Sequence, residues 1–110
     1  MRSSDVAKNL VVYLDTTYCK PQHVFTPQST MINAVVDCVV NDIKTQMDLG
    51  LDPYVSTLYL FGAYSIGKER VYMSVAERLN SKVHVDMTRW KTMMCYDSWS
   101  MSDKARLTRD

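Results

Sequence analysis

Between Pro27 and Gly50 the sequence repeats apolar residues at the spacing of one helix face, and this stripe constrains the fold more than any other feature. Met31, Ile32, Val35, Val36, Val39, Val40, Ile43 and Met47 recur at intervals that line one side of a helix near residues 27–48. Thr26-Pro27 predicts its start, a capping hydroxyl followed by a proline at the first helical position, where the missing N–H is not needed. Gly50 predicts its stop. Cys38, beside the stripe, reads as a small buried thiol, and Asp37 as a solvent-facing acid. A helix with so broad an apolar face has to bury it against a second layer.

The flanking segments supply that layer. Leu10-Val11-Val12-Tyr13-Leu14 is short and rich in β-branched and aromatic residues, and it ends at Asp15-Thr16-Thr17, which predicts a strand near 10–15 running into a polar turn. Asp52-Pro53 breaks the chain before a second strand near 55–61, which Gly62 ends. Gly67-Lys68-Glu69-Arg70 opens a second helix near 67–79, with Val71, Tyr72, Val75, Ala76 and Leu79 on one side and Asn80 as its C-terminal cap. Lys82-Val83-His84-Val85 predicts a third strand near 82–85. The alternating order points to an α/β chain with a small, mainly parallel sheet in a three-layer-like arrangement. Beyond Asp86 the pattern weakens: Met87, Trp90, Met94 and Leu107 predict one or two short helices, interrupted at Asp97-Ser98-Trp99-Ser100.

Composition excludes several classes. At 110 residues with 46% apolar and 23% charged side chains, the chain forms one globular unit or a piece of one. Cys19, Cys38 and Cys95 are odd in number and contain no CxxC pair, which argues against a disulfide framework or zinc ribbon and for a reducing compartment. No apolar run approaches the ~20 residues of a membrane helix, and no signal-peptide core stands at the start, so a cytosolic or nuclear protein is expected. Residues 78–110 carry seven basic and four acidic side chains, a surplus too small to establish nucleic-acid binding and best read as a solvated face.

Three constellations carry potential chemistry. Gly62-Ala63-Tyr64-Ser65-Ile66-Gly67-Lys68-Glu69 has the spacing of a phosphate-binding loop, but Glu69 stands where a magnesium-ligating hydroxyl is required, so tight strand-to-helix turning explains the glycines better than nucleotide binding does. His23, His84 and the cysteines lack ligand spacing for a metal, and no base is assignable to Cys19 as a nucleophile. Asp15-Thr16-Thr17 at a strand end either accepts hydrogen bonds in a polar site or caps its own turn; the residues alone leave both readings open.

Two motifs in order resemble a known family. Tyr13-Leu14-Asp15-Thr16-Thr17-Tyr18-Cys19, with Pro21 and Phe25-Thr26-Pro27-Gln28, is similar to a segment of the DNA crosslink-repair nucleases related to Artemis and Apollo, the β-CASP branch of the metallo-β-lactamase superfamily. Tyr64-Ser65-Ile66-Gly67-Lys68-Glu69-Arg70-Val71, followed by Ala76-Glu77 and Ser81-Lys82-Val83, resembles that family's second signature, closest to its 5′-exonuclease members. The resemblance implies a nuclear, zinc-dependent 5′–3′ exodeoxyribonuclease of interstrand-crosslink and double-strand-break repair, with DNA as partner. It makes residues 1–20 the end of the metallo-β-lactamase core and 21–110 part of the β-CASP domain. It places Asp15 as an acid at or beside the metal site and Tyr64, Ser65 and Lys68 at the DNA. The family's His-x-His-x-Asp-His motif is absent from this sequence. The expectation is therefore a partial sequence, inactive and zinc-free alone and lacking the core that would complete it, with a small nucleotide-binding or non-catalytic interaction module as the alternative.

Overall fold

The structure, a computed structural model, describes residues 11–109. Its elements are α1 (Gln28–Asp48), α2 (Pro53–Ser56), α3 (Glu69–Leu79), β1 (Val83–His84), α4 (Met87–Met94), α5 (Met101–Ala105) and β2 (Leu107–Thr108). β1 and β2 pair in parallel, Val83 opposite Leu107 and His84 opposite Thr108, and α4 and α5 form the crossover that a parallel pair needs. The α/β character and parallel pairing expected from the sequence are therefore present.

The predicted stripe folds as α1, with a narrower buried edge than expected. Ile32, Val39 and Ile43 are buried and Val35 and Val36 partly so, whereas Met31 and Met47 are exposed. Cys38 is exposed rather than buried, because only one line of α1 side chains meets the helix at Glu69–Leu79 and position 38 lies off that line. Pro27, not Thr26, occupies the N-cap position; its carbonyl accepts from the N–H groups of Thr30 and Met31, and no side chain caps the end. At the other end Gly50 is left-handed (φ 79°), Gly50 N–H donates to the Met47 carbonyl and Leu51 N–H to that of Gln46, the paired bonds of a Schellman stop.

α3 packs along α1, with Val75 against Val39 and Ile43 and Leu79 beside them. Its other side enters the main core, where Tyr72 and Met73 meet Val85, Leu107 and Met93; Met93 is fully buried. Asn80 adopts the left-handed conformation (φ 50°) and ends α3 as expected, with Ser81 N–H bonded to the Ala76 carbonyl. The short helices appear where the sequence signal weakened. Asp86 caps α4 by accepting from Arg89 N–H (2.9 Å), and Ser100 and Asp103 form a reciprocal capping box at α5. Leu107, expected in a helix, instead lies in β2, where its side chain completes the core.

Two expected strands do not form. Leu10 lies outside the described residues; residues 11–15 are irregular and exposed, and no strand among the described residues pairs with their backbone groups. The strand expected at 55–61 is consumed at its start by α2, because Asp52 accepts the Tyr54 N–H (3.0 Å) and Pro53 is preset for a first helical turn. Residues 57–61 then run extended but unladdered. Thr57 Oγ1 donates to Gln46 Oε1 (2.5 Å), the Tyr59 phenol donates to Asp42 Oδ2 (2.6 Å) and Phe61 meets the Tyr72 ring, while Leu58 and Leu60 between them are 80% and 85% exposed. Between this segment and β1 lies an open cleft of about 590 Å³.

The described residues have a radius of gyration of 19.6 Å, an extended shape against roughly 13 Å for a compact domain of this size. No described helix is long and apolar enough to cross a membrane.

Two outcomes follow from this packing. Met93→Ala leaves a cavity under α3 and both strands and lowers the unfolding free energy by about 2–5 kcal/mol in denaturant titration; a loss under about 1 kcal/mol contradicts the assigned core. Tyr59 is pushed up to about 12 by burial first and then by its bond to the Asp42 carboxylate. Its raised pKa stabilises the fold fully below the ordinary phenol range and is lost as pH rises through about 12. Tyrosinate absorbance should show one late-ionising phenol that Tyr59→Phe removes, and an unchanged curve would count against the contact.

Candidate functional site

The site centres on the turn from Gly62 to Lys68. Gly67 (φ 108°) and Lys68 (φ 63°) are consecutive left-handed residues, so the chain reverses sharply before entering α3. Gly67 accommodates this without cost, while Lys68 holds a conformation that a side chain rarely adopts and that its surroundings have to enforce. The Lys68 ammonium folds back to donate to the Gly62 carbonyl (3.0 Å), using one of its three donors. Tyr64 stands 85% exposed, Ser65 is exposed, and Ile66 is exposed beside them.

Glu69 shows why the loop is not a phosphate cradle. Its Oε1 accepts the Gly67 N–H (2.6 Å), occupying the place an anion would take at the start of α3. The Tyr96 phenol donates to the same oxygen (3.4 Å), and the Arg89 guanidinium lies 3.9 Å away. Arg89 also donates to the Ala63 carbonyl (3.2 Å) and to the Tyr72 phenol oxygen (3.3 Å). Tyr72 in turn donates to Met93 Sδ (3.6 Å), which seats the polar cluster on the core. Burial, opposed by Arg89, raises the Tyr72 phenol above its ordinary value, and burial with the Glu69 charge raises Tyr96, so both remain neutral donors.

Asp15 lies apart from this turn in the sequence, on an exposed segment. Its Oδ1 accepts both the Thr17 N–H (2.9 Å) and the Thr17 hydroxyl (2.5 Å), which is the second of the two readings left open by the residues, that of a carboxylate capping its own turn. The Thr17 hydroxyl, then its N–H, holds the carboxyl below the usual range. His23 packs edge-on against Tyr18, which also meets Phe25, and His84 is exposed on β1. Among the described residues no group of three or more His, Cys, Asp or Glu side chains is placed to hold a metal ion. The zinc implied by the family resemblance therefore does not fit these residues.

The basic C-terminal third is not simply a solvated face. Arg106 reaches the Ala76 and Ser81 carbonyls (3.5 and 3.4 Å) at the end of α3, and Lys104 donates to the Met94 carbonyl (3.0 Å) at the end of α4. Both meet helix C-termini, where positive charge is favoured. Arg109 stacks over Trp90 at 4.8 Å. Sequence reasoning singled out Tyr64, Ser65 and Lys68 but missed Arg89, Tyr72 and Tyr96, which hold the turn from distant positions. The one available signal was Glu69 itself, an acid that has to find a partner once it is turned inward.

No family model matches the chain. It is 34% identical over 99 residues to the DNA cross-link repair 1A protein of Gallus gallus, covering 90% of this chain and 9% of that protein. It is 35% identical over 85 residues to the human DNA cross-link repair 1A protein (77% and 7%), and 42% identical over 74 residues to the DNA cross-link repair protein pso2/snm1 of Schizosaccharomyces pombe (67% and 12%). The chain thus spans about a tenth of the length of these curated relatives. Over that partial region, the chain belongs to the DNA cross-link repair 1A/Pso2/SNM1 family.

Proposed function

We propose that this chain is part of a nuclear DNA repair 5′–3′ exodeoxyribonuclease of the metallo-β-lactamase type, acting in interstrand-crosslink and double-strand-break repair, and that it does not cleave DNA alone. Residues 1–20 are the end of the metallo-β-lactamase core and residues 21–110 part of the β-CASP domain. The observation that carries the reading is the turn at 62–68: its tip is exposed and its ends are held inward, in the segment that resembles the family signature.

Tyr64 offers a ring for a base to stack on, and Ser65 and Lys68 offer donors to phosphate oxygens. By the family resemblance, Asp15 would supply one carboxylate to a hydrolytic centre that the full-length parent completes. The missing core covers the apolar segments left bare, where Tyr13 and Leu14 are 93% and 76% exposed. The nucleotide-binding alternative loses its main support to Glu69, which fills the loop's own anion position.

In the full-length parent, Tyr64→Ala is expected to weaken binding of 5′-phosphorylated single-stranded DNA by about 1 kcal/mol or more, roughly fivefold, in fluorescence anisotropy. Lys68→Ala lowers the salt dependence by about one ion. Asp15→Ala keeps binding and abolishes most hydrolysis. Wild-type affinity and rate in all three variants would refute the assignment.

A further inference from the structure

We propose that Arg89 is the positioning residue of the 62–68 turn, holding both of its ends so that Tyr64 and Ser65 are presented in one conformation. At the N-terminal end, its Nη2 donates to the Ala63 carbonyl (3.2 Å). At the C-terminal end it acts through Glu69, whose Oε1 lies 3.9 Å from Nη1 and accepts the Gly67 N–H at 2.6 Å. One guanidinium thus ties together two backbone groups four residues apart, and the three residues between them form the exposed tip.

The anchor itself is fixed. Arg89 sits in the first turn of α4, where its own N–H is held by Asp86 (2.9 Å). The Arg89 and Glu69 side chains are only 11% and 13% exposed, so water competes weakly for the pair. The Tyr72 phenol on one side and the Tyr96 phenol on the other supply further partners, and Tyr72 links the group to Met93 in the core. Arginine suits this role because its planar fork reaches several acceptors at once, whereas a lysine ammonium in the same place reaches fewer. A turn held in this way binds without first having to be ordered. That last step rests on the DNA reading above, while the holding of the turn does not.

The test uses the full 110-residue chain, labelled for NMR. In the wild type, backbone order parameters at residues 63–67 should approach the rigid value of about 0.85, with the Gly67 amide protected from exchange. Arg89→Met should drop the tip below about 0.6 while α1 stays ordered; Arg89→Lys, which keeps the charge but not the fork, should fall between. A mobile tip or a freely exchanging Gly67 amide in the wild type overturns the proposal, and so does a rigid tip in Arg89→Met. The wild-type measurement decides even if that variant fails to fold. Titration with 5′-phosphorylated oligodeoxythymidine separates the two readings. Loosening with a severalfold loss of affinity supports both, whereas loosening with unchanged affinity supports the positioning role and removes the tip from the DNA contact.

Discussion

The parallel register of Val83 on Leu107 is the constraint on which the rest of the structure depends. Pairing residues so far apart in sequence forces α4 and α5 into the crossover between them, and that crossover delivers Met93 into the centre of the core. Once α4 is fixed there, its first turn points Arg89 back at the start of α3. The same packing that buries Tyr72 therefore brings together the polar group that shapes the turn.

Much of this was legible in the sequence, but unevenly. α1 and α3 follow directly from apolar spacing, and their stops from Gly50 and Asn80, because helices are closed by local hydrogen bonds that neighbouring residues specify. The strands were less legible because a strand exists only with a partner. Residues 57–61 keep the in-and-out alternation of a strand, Thr57 and Tyr59 inward and Leu58 and Leu60 outward, without pairing. Leu107-Thr108 showed no strand signal and yet pairs, since its register is set by the crossover that precedes it. The turn was identifiable from its glycines; the arginine that holds it was not, because Ala63 and Arg89 meet only after α3, β1 and α4 have packed.

These features give the family membership a physical content. The near-phosphate-loop spacing is retained, but Glu69 turns it from an anion cradle into a closed, self-satisfied turn with an outward tip. The apolar residues of segment 11–14 and Leu58 and Leu60 stand uncovered, outside the two buried clusters around Met93 and around Val75. The described residues thus divide into a packed centre and apolar surfaces that they do not themselves bury.

Hydrogen exchange measured along the whole chain tests that division most directly. The account predicts slow exchange in α1, α3, β1, α4 and β2, and fast exchange throughout residues 11–25 and at Leu58 and Leu60. Slow exchange at residues 11–14 comparable to that of α3 would show that this segment is paired after all and would contradict it.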